Sequence, residues 1–224
     1  METTKSKYSR IASNGNTAES VLCTQASVRV CLETYFQKQI DTIQRIYGKK
    51  SDIVIRFCDG TTTRIQNKDG NILSRGWSVD RRPAIKLTND SRLHTLLRSI
   101  CLKRGFSRPR IPSSLSQEIL TQCVLGEDAE YAPQYVTHTT SNKETGEILT
   151  LSICSAKSFL DNLRKELYPT MRSKRTCVHL SPCVYLQRKG GGKKDSRPDD
   201  IQTKLHFTIK TQDLYTRTFV SRMG

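Results

Sequence analysis

The chain has 224 residues, with Lys+Arg 37 against Asp+Glu 21, a formal charge of +16 at pH 7 and a mean hydropathy of -0.55. At 35% hydrophobic residues there is apolar mass for the core of one large domain or two small ones. Charged residues interrupt every apolar run before the roughly 20 residues that a bilayer span needs, so no membrane partner is expected.

Residues 1–19 mix Lys, Ser, Thr, Asn and Gly with few apolar positions and read as a flexible basic tail without a signal-peptide core. This points to an intracellular protein, cytoplasmic or nuclear. From Ser20 to Tyr47, the residues Val28, Cys31, Leu32, Tyr35, Phe36, Ile40, Ile43 and Ile46 recur at intervals of three and four, which predicts one long helix ending at Gly48. Two β-branched runs, Asp52 to Phe57 and Thr61 to Ile65, flank Asp59-Gly60, and a second turn follows at Asp69-Gly70. Gly accepts positive φ in such turns, so a β-meander is expected.

A helix through Leu93, Leu96, Leu97, Ile100 and Cys101 comes next, broken by Pro109 and Pro112. Ser113 or Ser114 then caps a helix carrying Leu115, Ile119, Leu120, Cys123 and Val124. The acidic segment Glu127 to Glu130 with Pro133 reads as a linker. Beyond it come a hairpin (Tyr135 to Thr140, Glu147 to Cys154), a helix with Phe159, Leu160, Leu163 and Leu167, and two strands, Cys177 to Gln187 and Ile201 to Lys210. Hairpins dominate over long crossovers, so the fold class is α+β, with antiparallel β-hairpins packed with about four helices. The expected organisation is a basic tail (1–19), a basic half (20–126) and a second half (131–224) that can pack with it as one domain.

The eight cysteines contain no C-x-x-C pair and read as free, mostly buried thiols. Only Cys177, His179 and Cys183 bunch like zinc ligands, in a spacing that matches none of the common structural sites. No cofactor is expected.

The positive charge is concentrated. Residues 45–110 hold 16 basic against 5 acidic side chains, and residues 172–197 hold 8 against 1. Localised charge of one sign repels itself and is most easily tolerated where a polyanion neutralises it. RNA or DNA meets that need, since each phosphate contact releases condensed counterions. The expected contacts are Arg75, Arg81, Arg82, Lys103, Arg104, Arg108, Arg110, Arg188, Lys189, Lys193, Lys194 and Arg197, with Trp77 as a stacking platform. Arg188 to Arg197 reads as a glycine-rich basic finger between two strands; its three glycines let backbone N–H groups approach an anion. An acidic protein partner is the competing occupant of the same charge, in an assembly or adaptor role.

One enzymatic alternative is written in the histidines. His138-Thr-Thr140 and His206-Phe-Thr208 each place a hydroxyl two residues after an imidazole on an expected strand, so the pair shares one face. Two such pairs facing one another supply a general base and a general acid for breaking a phosphodiester. These motifs resemble those of the 2H phosphoesterase family. The resemblance implies metal-independent cleavage of RNA 2′,3′-cyclic or 2′-5′ linkages, with His138, Thr140, His206 and Thr208 as its catalytic residues.

Overall fold

The computed structural model describes residues 17–70, 77–83, 113–142, 144–165, 167–169, 172–174, 177–188, 200–205 and 217–220. The chain forms two compact units that share it in alternation: residues 1–71, 130–157 and 215–224 in the first, 72–129 and 158–214 in the second. The divide therefore does not follow a single cut at the acidic segment. The hairpin beyond that segment joins the first unit because its leading strand pairs in parallel with a strand of the meander.

The first unit opens with helix α1 (residues 17–24) and α2 (Ala26–Phe36). A six-stranded sheet follows, in the order β1-β2-β3-β5-β6-β11. Its strands are β1 (Ile40–Arg45), β2 (Ile53–Phe57), β3 (Thr62–Asp69), β5 (Tyr135–Ser141), β6 (Ile148–Ser155) and β11 (Arg217–Val220). All its pairings are antiparallel except β3 with β5.

The single long helix expected through Tyr47 is corrected here. Gln37 adopts φ 53, a left-handed C-cap, and the β-branched residues Ile40, Thr42 and Ile43 continue as β1. Their three-and-four spacing mimicked a helix, but β-branched side chains lose χ1 freedom in a helix and fit a pleated sheet. The helix end and the strand are tied together: Glu33 Oε1 accepts the Ile40 N–H at 2.9 Å, and Arg29 Nη2 donates to the Ile40 carbonyl.

The expected meander is present. β2 and β3 pair from Ile53↔Ile65 to Arg56↔Thr62, around a turn in which Gly60 takes φ 83. Asp59 Oδ1 accepts from the Thr61 N–H and Oγ1, while Lys38 Nζ lies 2.8 Å from Oδ2. The Lys38 hydrogen bond, followed by the Thr61 donors, holds the Asp59 carboxyl well below the ordinary range.

Alternation along β2 sends Ile53, Ile55 and Phe57 to one face, where Ile65, Ile148, Leu151 and Ile153 join Leu22, Val28 and Leu32 from the helices. Each such side chain contributes roughly 1.5–3 kcal/mol by leaving water. Tyr35, Phe36, Phe57 and Tyr135 extend this core edge to face, with centroids 4.9–5.9 Å apart. Gln25, between the helices, clamps the start of β6: its Nε2 donates to the Ile148 carbonyl at 3.0 Å, and its Oε1 accepts the Ile148 N–H at 2.8 Å.

The second unit carries a five-stranded antiparallel sheet in the order β4-β10-β9-β8-β7. Its strands are β4 (Trp77–Pro83), β7 (Arg172–Lys174), β8 (Cys177–His179), β9 (Val184–Arg188) and β10 (Asp200–Leu205). Helix α3 (Ser113–Leu125) buries Ile119, Leu120, Cys123 and Val124, and Cys123 Sγ meets Thr203 Oγ1 of β10 at 3.0 Å. Helix α4 (Ala156–Arg164) buries Phe159, Leu160 and Leu163, and Arg164 Nη2 donates to Thr121 Oγ1 of α3 at 2.7 Å. The fold is α+β, as the hairpin pattern of the sequence implied.

The seven described cysteines are free thiols; Cys123, Cys154 and Cys183 are buried, Cys58 is exposed, and Cys23, Cys31 and Cys177 lie between. Burial pushes the Cys154 thiol up to about 12, which removes it from thiolate chemistry.

Candidate functional site

Asp52 stands at the mouth of β2, fixed by three backbone bonds. Its N–H donates to the Ile65 carbonyl at 2.9 Å, its carbonyl accepts the Ile46 N–H at 2.8 Å, and its Oδ2 accepts the Asn67 N–H at 2.8 Å. On β3, Ile65 enters the core, while Asn67 bonds across to Thr137 and Thr139 of β5. Strand alternation therefore turns Gln66 and Lys68 to the opposite face. Gln66 is buried, and its Nε2 donates to the Lys50 carbonyl at 3.2 Å, fastening β3 to the β1–β2 loop. From α1, Glu19 reaches Arg45 of β1 in an ion pair of 2.5 Å.

These groups act on one another electrically. Burial raises the Asp52 carboxyl above its ordinary value, the Lys68 ammonium lowers it, and the Glu19 carboxylate raises it; the Asn67 N–H and Lys50 lower it further. A desolvated carboxylate thus stands within electrostatic reach of a second carboxylate and two lysines. Asp52, Glu19 and the amide oxygen of Gln66 are hard oxygen donors of the kind divalent cations take. Among the described residues no group of three or more His, Cys, Asp or Glu side chains could hold a metal ion. A magnesium-like cation is commonly held by one or two carboxylates and completed by water and substrate oxygens, and Asp52 and Glu19 are carboxylates of that kind.

Cationic side chains of the first basic block gather on the same unit. Lys49 Nζ lies 3.8 Å from the centroid of the Tyr131 ring, and the Arg64 guanidinium lies 5.9 Å from it. Ser51 is fully buried and donates its Oγ to the Tyr131 carbonyl at 2.7 Å, seating that residue beside the start of β2. Arg45 lies 4.6 Å from the centroid of Tyr47, in the same loop.

The residues expected from sequence divide as follows. Arg75, Lys103, Arg104, Arg108, Arg110, Lys189, Lys193, Lys194, Arg197, His206 and Thr208 lie outside the described residues. Trp77, Arg81 and Arg82 lie on β4, whose backbone pairs with β10 at Leu205, Gln202 and Ile201, and Arg188 ends β9 opposite Ile201. The strands on both sides of the basic finger are therefore an antiparallel pair.

His138 sits mid-sheet on β5, in register with Lys68 and Ser152, and is 1% exposed. Burial pushes its imidazole down to about 4, against the opposing effect of a hydrogen bond to the Gly70 backbone. It is a neutral interior group at pH 7, with no solvent-facing position from which to meet a phosphodiester. Thr140, two residues on, bonds with Thr150 of β6. The His179 ring stacks on Tyr185 at 5.6 Å, and Cys183 is buried in the following turn, its N–H donating to Ser181 Oγ at 3.0 Å. Cys177, His179 and Cys183 do not converge as a ligand set.

The residues that sequence reasoning passed over are Asp52, Gln66 and Lys68, with Glu19. Their signal was an Asp opening an apolar strand and a Gln-x-Lys alternation on the strand that pairs with it across Asp59-Gly60.

No protein-family model matches the chain, and no curated protein matches it. Among solved structures, the restriction endonuclease MspI in complex with its cognate DNA is similar over 80% of this chain and 76% of that one, at 12% identity and a TM-score of 0.47. No helix among the described residues is long and apolar enough to cross a membrane.

Proposed function

We propose that the chain binds nucleic acid through its phosphates, and that a phosphodiester held at Asp52, Gln66 and Lys68 is hydrolysed there with a divalent cation. The observation that carries this reading is the desolvated Asp52 carboxylate, fixed by the Asn67 N–H and within electrostatic reach of Lys68 and Glu19, inside the first basic block. A carboxylate repels a phosphate, whereas a divalent cation held by Asp52 would make the same spot attractive. When bound, such an ion supplies Lewis-acid polarisation of the phosphoryl oxygen.

The protein's own residues do the rest. Asp52 would hold the cation, with Glu19 and the Gln66 amide as the further oxygen donors. Lys68 faces the charge that develops on the phosphoryl oxygens. A water oxygen bonds to phosphorus as the bond to one sugar oxygen breaks, and the water supplies the proton that the departing oxygen takes up. The cations of the first block, including Lys49, Lys50 and Arg64, hold neighbouring phosphates. The second block, with Lys189, Lys193 and Lys194, supplies further cations for phosphate contacts.

The test is incubation of the full chain with single- and double-stranded DNA and RNA, with and without magnesium or manganese, beside Asp52→Asn and Lys68→Ala. Cation-dependent cleavage by the parent, lowered by roughly 10²-fold or more in both variants while binding in EDTA persists, is the expected result. Binding without cleavage by the parent under every condition removes hydrolysis from the reading. Absence of salt-sensitive binding removes the whole of it.

A further inference from the structure

Tyr47 is the most exposed large apolar side chain among the described residues, 73% accessible, in the loop that leads directly into Asp52. An aromatic ring left in water at the mouth of a polar site costs hydration free energy unless something covers it in use. Its position is built. Gly48 takes φ 69, a conformation that other side chains adopt only under strain, and so sets the bend that follows the tyrosine. The Ile46 N–H closes the loop on the Asp52 carbonyl. The Arg45 guanidinium lies 4.6 Å from the ring centroid and is itself ion-paired to Glu19, while the ring stays largely exposed. Two further cations, Lys49 and Arg64, stand over Tyr131, whose carbonyl accepts from Ser51 Oγ.

An exposed ring backed by a guanidinium, in a loop that also carries Lys49 and Lys50, has the two parts that recognition of an unpaired nucleotide requires: a π-face for the base and positive charge for its phosphates. A duplex offers phosphates but keeps its base faces stacked, and an acidic peptide offers charge with no π-face. We infer that Tyr47, backed by Arg45 in the loop that also carries Lys49 and Lys50, is a stacking platform for an unpaired base. This rests on the nucleic-acid reading above and adds to it a single-stranded or locally opened substrate.

The experiment measures binding of the full chain in EDTA to a dye-labelled single strand, to the same strand without bases, and to a blunt duplex of equal length. Tyr47→Ala should weaken binding to the base-bearing strand roughly five- to hundred-fold and leave the abasic strand and the duplex unchanged. Tyr47→Trp should retain parent affinity. Running DNA and RNA strands side by side identifies which polymer supplies the base.

Parent-like affinity of Tyr47→Ala for the base-bearing strand overturns the platform, as does an equal loss on the strand without bases or on the duplex. Either result, obtained while Asp52→Asn still abolishes cation-dependent cleavage, removes the platform alone and leaves the proposed function standing. Failure of the parent chain to bind any of the three probes takes both away.

Discussion

The backbone N–H of Asn67 meets Asp52 Oδ2 at 2.8 Å, so the strand that carries Gln66 and Lys68 also fixes this carboxylate. A main-chain donor cannot rotate away as a side chain can, and the β2–β3 register that places it is set by the paired core residues Ile53 and Ile65. The site geometry is thereby tied to the core of the first unit.

Asp52→Asn should separate stability from function. Burial raises the folded-state pKa above 3.8, so the native chain holds this proton more tightly than the unfolded chain does, and stability falls as pH rises from 3.8 through the folded value. The Asn variant has no such titration and can still accept the Asn67 N–H, so at pH 7 it should melt no lower than the parent. Magnesium or manganese should raise the melting temperature of the parent and not that of the variant. A variant much less stable at neutral pH, or stabilised by the cation as much as the parent, contradicts the assignment.

His138 predicts an acid-labile fold. Its pKa moves from 6.5 down to about 4, so the unfolded chain takes up a proton between those values that the native chain does not. The neutral buried ring contributes fully above 6.5, and up to about 3 kcal/mol is lost as pH falls through this window. Denaturant melts across pH 4–7 should show that slope in the parent and a flatter one in His138→Gln. The same variant tests the 2H-type chemistry: with the imidazole sealed in the sheet, cleavage per folded molecule should persist, and its complete loss with binding intact would restore His138 as a catalytic base.

Gln25→Ala should cost about 1–3 kcal/mol, because it leaves both the N–H and the carbonyl of Ile148 without the amide that now pairs with them. The loss is read from urea midpoints. Gln25→Glu should recover little, since a carboxylate cannot donate to the Ile148 carbonyl.

Charge reversal in the basic finger should act on every nucleic acid alike. Lys193→Glu with Lys194→Glu is expected to weaken binding irrespective of base sequence and to lower the slope of log affinity against log salt by about two. An unchanged slope takes the finger out of the interface.

The local signals that were legible in sequence are those carried by neighbouring residues. Asp59-Gly60 marked the turn between β2 and β3, the run from Ser113 to Val124 marked α3, and alternating residues marked the β5–β6 hairpin. The same local rule failed at Ile40 and Ile43, whose spacing suits both a helix and a strand; Gln37 at φ 53 and pairing with β2 decide the matter. His138 and Thr140 were visible as a motif, but burial is a property of what packs over a strand, and no spacing rule contains it.

By itself, the sequence determined the α+β class, the hairpins and the concentration of positive charge, because turn residues, side-chain alternation and ionisable groups act over a few positions. The tertiary structure alone decided that Asp52 is desolvated, bonded by the Asn67 N–H and within electrostatic reach of Glu19 and Lys68. That arrangement depends on sheet register and on a helix packed against the strands, and both are set by apolar contacts between residues far apart in the chain.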